Sequence, residues 1–484
     1  MSLRLSIRDV VLWLGPLIAI IIFCLPSPDG LSISSWYLIA LISWMVVWWL
    51  SEAIPISATA LLPIPLMPFL GIADLATVLS HYVHPLVLLF LGGFLLAAAM
   101  QKSGLHKRIA LKIIAKVGTG TKEIIAGFML ATAFLSMWIS NTATTVMMYA
   151  VAISMIGLVA ARMDDPKDSR NFGVALMLGI AYSASIGGVG TLIGTPPNAL
   201  LANILEGSYQ IKLDFVTWMM IGVPVVIIML PLAWLLLTKL LFPIRNHRTS
   251  SLSSALNEEL GSLGPVSRSE GFVALVFSFA AIGWIFGKPI SEVTGLPISD
   301  TSVALIAALF LFVLPILLRK TPFLLDWNSI KHVPWGVLVL LGGGLAIADA
   351  FNTTGLSKAV GAFMSGLDAL NIWASVFIAC AFIIALTELT SNTSSAATFL
   401  PILGAISIGL GHDPRLLMIP VALGASMAFM TPVATAPNAI VFSFEQLRIS
   451  DMVRAGICLN LMALFVCFGV FYILAGPVLG IWVH

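Results

Sequence analysis

Two short runs of hydroxyl and amide side chains interrupt an otherwise apolar chain: WISNTATT at 138–145 and TSNTSSA at 390–396. Ser, Asn and Thr offer neutral oxygens that coordinate a hard cation such as Na+, while the Asn amide and the hydroxyls donate to an anion. Two further breaks read GTPPN at 194–198 and ATAPN at 434–438. Proline removes a backbone donor and clashes with the carbonyl one turn back, which opens a helix. Carbonyls freed at the end of one half-helix suit a cation, and amides at the start of the next favour a carboxylate. Thr195, Asn198, Thr435 and Asn438 are therefore expected to face the tips of the Ser-Asn-Thr runs. A lone Ser or Thr usually bonds back to its own helix, and a lone Pro usually makes a kink. The chemical reading thus depends on the four breaks being matched.

The elements that must hold these residues belong to a membrane. Of the 484 residues 59% are hydrophobic and 10% charged, with a mean hydropathy of +1.05, against roughly 25% charged in soluble domains. Spans are predicted near 10–25, 34–50, 55–71, 86–101, 172–206 (interrupted), 216–242, 270–287, 301–318, 335–350, 415–446 (interrupted) and 455–481. No small-x-small cleavage pattern follows Cys24, so the first apolar segment is expected to be retained as a span. With Arg4 and Arg8 in the cytoplasm, every Lys and Arg except Lys212, Lys288, Lys358 and Arg415 falls inside. The positive-inside rule predicts this asymmetry. It appears only if 123–160 and 373–411 each enter and leave on one side, as re-entrant hairpins.

The breaks are matched by an internal repeat. FLGGFLLAAAMQKSGL (90–105) aligns with LGGGLAIADAFNTTGL (341–356) at an offset of 251, and the same offset carries Ser140 onto Ser391. TLIGTPPNAL (191–200) aligns with PVATAPNAIV (432–441) at an offset of 240, so the first half holds 11 extra residues, assigned to RMDDPKDSR (162–170). The hairpins open from opposite sides, which makes the halves inverted copies. Many secondary transporters build a central site this way. The expected sections are 1–122 and 243–372 for scaffold helices and connecting arms, with 123–242 and 373–484 for transport elements.

Other chemistry is poorly supported. Cys24, Cys380, Cys458 and Cys467 lie in apolar runs without metal-like spacing and read as core hydrophobes without a disulfide. No His-rich or paired-carboxylate motif suggests an enzyme, and a channel needs a continuous polar pore. Intramembrane carboxylates can signal proton coupling. Glu388 is weighed between that role and a structural hydrogen bond, while Glu52 and Asp349 read as interfacial. With no clear Lys or Arg at the site, an anion would be held by dipoles, hydroxyls, amides and co-bound cations.

SNT in each half, GTPPN, VATAPNAIVF, LSMWISNTAT, AYSASIGG and the FLGGF run resemble the divalent anion:sodium symporter family over nearly the whole chain. The resemblance implies an all-α polytopic membrane protein, an inverted-repeat homodimer with eleven spans and two re-entrant hairpins per protomer, working by an elevator-type motion in the lipid bilayer of the plasma (inner) membrane. It implies one Na+ around Ser136, Ser140, Asn141 and Gly194, and a second around Thr387, Thr390, Asn392 and Ala434. It implies an anion touching Asn141, Thr142, Thr195, Asn392, Thr393 and Thr435. C4-dicarboxylates such as succinate, malate and fumarate are the expected substrates; sodium-independent exchange, or sulfate or a tricarboxylate such as citrate, stays open. Two departures stand out. Ala436 replaces a second proline, so a softer break is expected there. Thr431 stands where many members carry Leu, and is expected to bear on substrate preference.

Overall fold

The computed structural model describes residues 7–160, 165–245, 258–318, 324–364 and 371–482. Arg4, Arg8's side chain, Arg162, Arg248, Arg319 and Lys320 of the topogenic charge pattern, and part of the 162–170 insertion, lie outside what is described. Among the described residues the chain is helical throughout, without a strand. Helices long and apolar enough to cross a membrane run at Ile33–Ser51, Leu75–Ser103, Pro166–Gly188, Phe215–Leu241, Arg268–Thr294, Trp335–Thr353 and Ile449–Leu479, with shorter apolar helices between them. The protein is an all-α polytopic membrane protein. The segment expected as one span at 55–71 is split into Ile56–Thr59 and Pro63–Phe69. Its prolines at 63, 65 and 68 cannot donate to a continuous ladder.

Both expected hairpins are present. The first pairs Thr121–Ser136 with Asn141–Ala160, and the second pairs Ile372–Thr387 with Asn392–Gly409. In each the serine of Ser-Asn-Thr starts the returning helix. Ser140 Oγ accepts the Ala143 amide at 3.3 Å, and Ser391 Oγ accepts the Ser394 amide at 3.2 Å. Serine suits that position because its hydroxyl satisfies an otherwise orphaned donor.

The interrupted spans are Pro166–Gly188 with Pro196–Tyr209, and Arg415–Ala425 with Ala436–Phe442. They form the centre of the protein. From Asn171 to Gly188 every residue is buried, as is every residue from Leu416 to Ala425. The halves also interlock: Pro196–Tyr209 packs on Asn392–Gly409 and Arg415–Ala425, while Ala436–Phe442 packs on Pro166–Gly188 and Asn141–Ala160. Each returning half-helix therefore lies among elements of the other half, which draws both breaks to one place. The second break was expected to be softer, yet it runs from 426 to 435 against 189 to 195 in the first. Glu388 supplies the reason, as described below.

An outer group of helices packs on this centre. Pro85–Ser103 lies against Asp300–Leu318, and Trp335–Thr353 against Leu75–Tyr82. The amphipathic helix Leu105–Val117 packs on the first hairpin. Its buried Arg108 donates to Glu270 at 2.7 and 3.1 Å and to the Gly264 carbonyl at 2.9 Å, tying this helix to the start of Arg268–Thr294.

Candidate functional site

The two hairpin tips are held by the same contacts in each half. Ser136 Oγ donates toward the Ala184 carbonyl at 2.7 Å and Asn141 Oδ1 at 2.5 Å. Thr387 Oγ1 stands likewise, 2.9 Å from the Ala425 carbonyl and 2.8 Å from Asn392 Oδ1. The breaks are held by matched clamps. Asn198 Nδ2 donates to the Gly188 and Thr191 carbonyls at 3.1 and 2.7 Å. Asn438 Nδ2 donates to those of Ala428 and Thr431 at 3.2 and 3.0 Å. Asn198 and Asn438, expected to face the tips, are instead fully buried behind the breaks, because the open helix leaves carbonyls that need donors.

Thr431 belongs to this repeated framework. Its hydroxyl donates to the Glu388 carbonyl at 3.0 Å, and the Thr191 hydroxyl donates to the Met137 carbonyl in the same way. Each threonine fastens a break to the carbonyl just beyond a hairpin helix. Thr431 is therefore placed to set the shape of the second tip, and it is absent from the cavity wall.

The first tip has an electrostatic peculiarity. Asn141 Oδ1 stands 2.5 Å from Ser136 Oγ, 3.2 Å from the Ala184 carbonyl oxygen and 3.3 Å from the Gly194 carbonyl oxygen. Ser136 has one proton to give, so the remaining oxygens face one another. A half-turn of the amide, placing Nδ2 there, gives all three oxygens a donor. The donor set of hydroxyl, amide and carbonyl oxygens fits Na+. Gly194 is fixed by the same crowding, since a Cβ there would meet the Gly188 carbonyl oxygen at 2.3 Å.

At the second tip Thr387 and Asn392 come together, but Thr390 does not join them. Its hydroxyl bonds back to the Leu386 carbonyl at 3.2 Å and meets Ser395 Oγ at 2.6 Å, the local bonding that threonine commonly adopts at a helix end. Ala434 lies at the cavity, and its amide is held by Thr431 Oγ1 at 3.2 Å.

Between the tips lies a cavity of about 710 Å³. All six residues expected to touch an anion, Asn141, Thr142, Thr195, Asn392, Thr393 and Thr435, line it, together with Ser140, Gly194 and Ala434. Ser136 and Thr387 lie behind the wall, fully buried. The opposite wall comes from outside the hairpins and broken spans: Glu52, Ile54 to Ser57, Phe90, Phe94, Pro334 and Val337. Sequence reasoning missed that wall. Glu52, read as interfacial, lines the cavity where Ile33–Ser51 ends, with its backbone in the left-handed region at φ 48°. Asp349 pairs with His81 at 3.4 Å.

Glu388 is not free for chemistry at the cavity. It is 6% exposed, and Oε1 accepts the Phe429 amide at 2.6 Å, the Met430 amide at 3.0 Å and Asn460 Nδ2 at 2.7 Å. Capture of two amides by a carboxylate keeps the second break open where the first uses a second proline.

Comparison with known proteins settles the family. Residues 9–482 match the model of the sodium:sulfate symporter transmembrane region. The chain belongs to that family, the divalent anion:sodium symporters. A sodium-dependent dicarboxylate transporter, SdcS of Staphylococcus saprophyticus, is 37% identical over 478 residues, spanning 98% of this chain and 92% of its own length. SdcS of Staphylococcus aureus is 37% identical over 476 residues, covering 97% of this chain and 91% of the relative. A crystal structure of the Alcanivorax borkumensis YdaH transporter matches with a TM-score of 0.57 over 92% of this chain and all of that one. At 14% identity the last likeness concerns the fold alone. This divalent anion:sodium symporter family member is a multi-pass membrane transporter, not an enzyme.

Proposed function

We propose that the protein imports C4-dicarboxylates (succinate, malate, fumarate) coupled to Na+. The observation that carries this reading is the convergence of two matched Ser-Asn-Thr tips on one cavity lined by hydroxyl and amide side chains. One Na+ lies among Ser136, Ser140, Asn141 and the Gly194 carbonyl, and a second by Thr387, Asn392 and Ala434, without the Thr390 hydroxyl, which is held by Leu386 and Ser395. The dianion bridges Asn141-Thr142 with Thr195 and Asn392-Thr393 with Thr435. Without Na+ the cavity presents hydroxyls and amides but no positive side chain, so cation binding must precede or accompany tight binding of a dianion. The identity to transporters named for dicarboxylates favours that class over sulfate or citrate.

The motion is an elevator: hairpins and broken spans, from 123–242 and 373–484, move as a body against the remaining helices of two protomers. With the N-terminus cytoplasmic and the C-terminus outside, the residues near 52–57 and 334–337 that wall the cavity stand at cytoplasmic ends of their spans. That placement supports an inward-facing reading of the cavity. The test is uptake of labelled succinate into proteoliposomes with and without an inward Na+ gradient. Concentration of succinate only with the gradient supports the reading; exchange that ignores Na+ sinks the coupling and leaves the site in place.

A further inference from the structure

The cavity of an anion transporter should not be expected to show a negative side chain as its sole charge, yet this one does. Among the described residues lining it, Glu52 alone is ionisable as an acid or base, and it stands on the wall outside the hairpins and broken spans. Its Oε1 accepts a hydrogen bond from Ser394 Oγ at 3.4 Å. Ser394 sits in the first turn of Asn392–Gly409, beside Ser391, whose hydroxyl caps that turn. A carboxylate near the start of an 18-residue helix is favoured by the positive end of the helix dipole. Glu52 therefore approaches the surface that Asn392 and Thr393 offer to a substrate carboxylate. Its exposed position in the left-handed backbone region directs the side chain from the end of Ile33–Ser51, a conformation that is sparsely populated for residues with a Cβ.

We propose that Glu52 is a release residue: in the inward-facing state it competes with the substrate's carboxylate at the second tip and lowers affinity on the cytoplasmic side. This inference rests on the dicarboxylate and elevator reading above. While Na+ occupies both tips, the positive charge outweighs the repulsion. Once Na+ departs, the Glu52 carboxylate faces a dianion across a site held only by dipoles, and the dianion leaves. When the hairpins move outward, Glu52 stays behind with its span, so the external site lacks the competitor. Affinity becomes unequal on the two faces, which favours net import over exchange.

The test is sided transport by Glu52→Gln, which keeps the length and the hydrogen-bonding oxygen but removes the charge. Half-saturating succinate is measured at the same sub-saturating Na+ concentration in right-side-out and in inverted membrane vesicles. The expected result is about a tenfold fall in the inverted vesicles, equivalent to about 1.4 kcal/mol, with less than about a twofold change in right-side-out vesicles. Maximal net uptake falls while succinate–succinate exchange persists, because release has become slow. Glu52→Asp retains the charge and should lie nearer the wild type on the cytoplasmic face; it keeps the comparison available if the Gln protein fails to accumulate. Equal shifts on both faces, or no shift on either, overturn the proposal. Absence of any succinate transport by the wild-type protein instead overturns the substrate reading, and the two failures are thereby separated.

Discussion

Glu388 offers a sharp separation between a structural and a coupling carboxylate. Oε1 alone receives all three donors, from Phe429, Met430 and Asn460, and Oε2 adds only a second contact to the Met430 amide at 3.0 Å. Glu388→Gln can keep its carbonyl oxygen at the Oε1 position. It loses the ionic component of those bonds and sets an NH2 group near one amide, a cost of about 1–2 kcal/mol. Glu388→Ala strips three buried donors of their acceptor at about 1–3 kcal/mol each. Neighbouring losses do not add, so roughly 3–6 kcal/mol is expected. Thermal melting of the purified protein should therefore drop slightly for Gln and severely for Ala. Na+-driven succinate uptake in proteoliposomes should persist in Glu388→Gln, within about threefold of wild type, a change of less than 1 kcal/mol, and with an unaltered dependence on pH. A Gln variant that melts like the wild type yet transports nothing, or loses its pH dependence, would falsify this reasoning and make the carboxylate a proton carrier.

Further outcomes follow from the same geometry. Asn141→Ala and Asn392→Ala should each reduce Na+-dependent uptake to background while the protein elutes and melts as a folded species; near-normal transport by both refutes the paired-tip site. Gly194→Ala forces a Cβ to 2.3 Å from the Gly188 carbonyl oxygen, so stabilisation of the melting temperature by added Na+ should shrink or vanish. That readout follows binding to the native state and needs no transport. Thr431→Val removes a 3.0 Å bond to the Glu388 carbonyl, worth about 1 kcal/mol; it should lower the melting temperature and leave the order of preference among succinate, malate and sulfate unchanged. Arg108→Ala leaves Glu270 buried without its cation, and a melting temperature lower by several degrees is expected.

The sequence was most informative where physics leaves few choices. Ser-Asn-Thr within apolar runs can hardly be anything but a helix start, because Ser140 and Ser391 satisfy amides that no lipid can satisfy. The offsets of 251 and 240 also translate into contacts: Ser136 and Thr387 each reach a carbonyl near the end of a broken-span half-helix, and Asn198 and Asn438 reach carbonyls that are equivalent at the offset of 240. Direction was harder to read. Asn198 and Asn438 look like ligands in a linear motif, yet their amides are consumed by carbonyls of the breaks. Thr390 likewise turns to Ser395. Glu52 was missed because its role depends on Ile33–Ser51 ending beside a helix more than 300 residues later, and no local pattern encodes such a meeting.

The repeat is close enough that its departures carry meaning. At the position after each outgoing hairpin helix the first half has Met137 and the second has Glu388, and both lend a carbonyl to a break threonine. Only the second adds a carboxylate, and only the second break extends over 426–435. The following half-helix is correspondingly short, Ala436–Phe442 against Pro196–Tyr209. A carboxylate beside one tip and none beside the other makes the two cation positions chemically unequal, however similar their neutral ligands. Glu52 approaches the same tip from the opposite wall. Carboxylates thus gather at the second tip. The matched contacts supply the geometry of the site, and the proposed release role of Glu52 would give transport a direction.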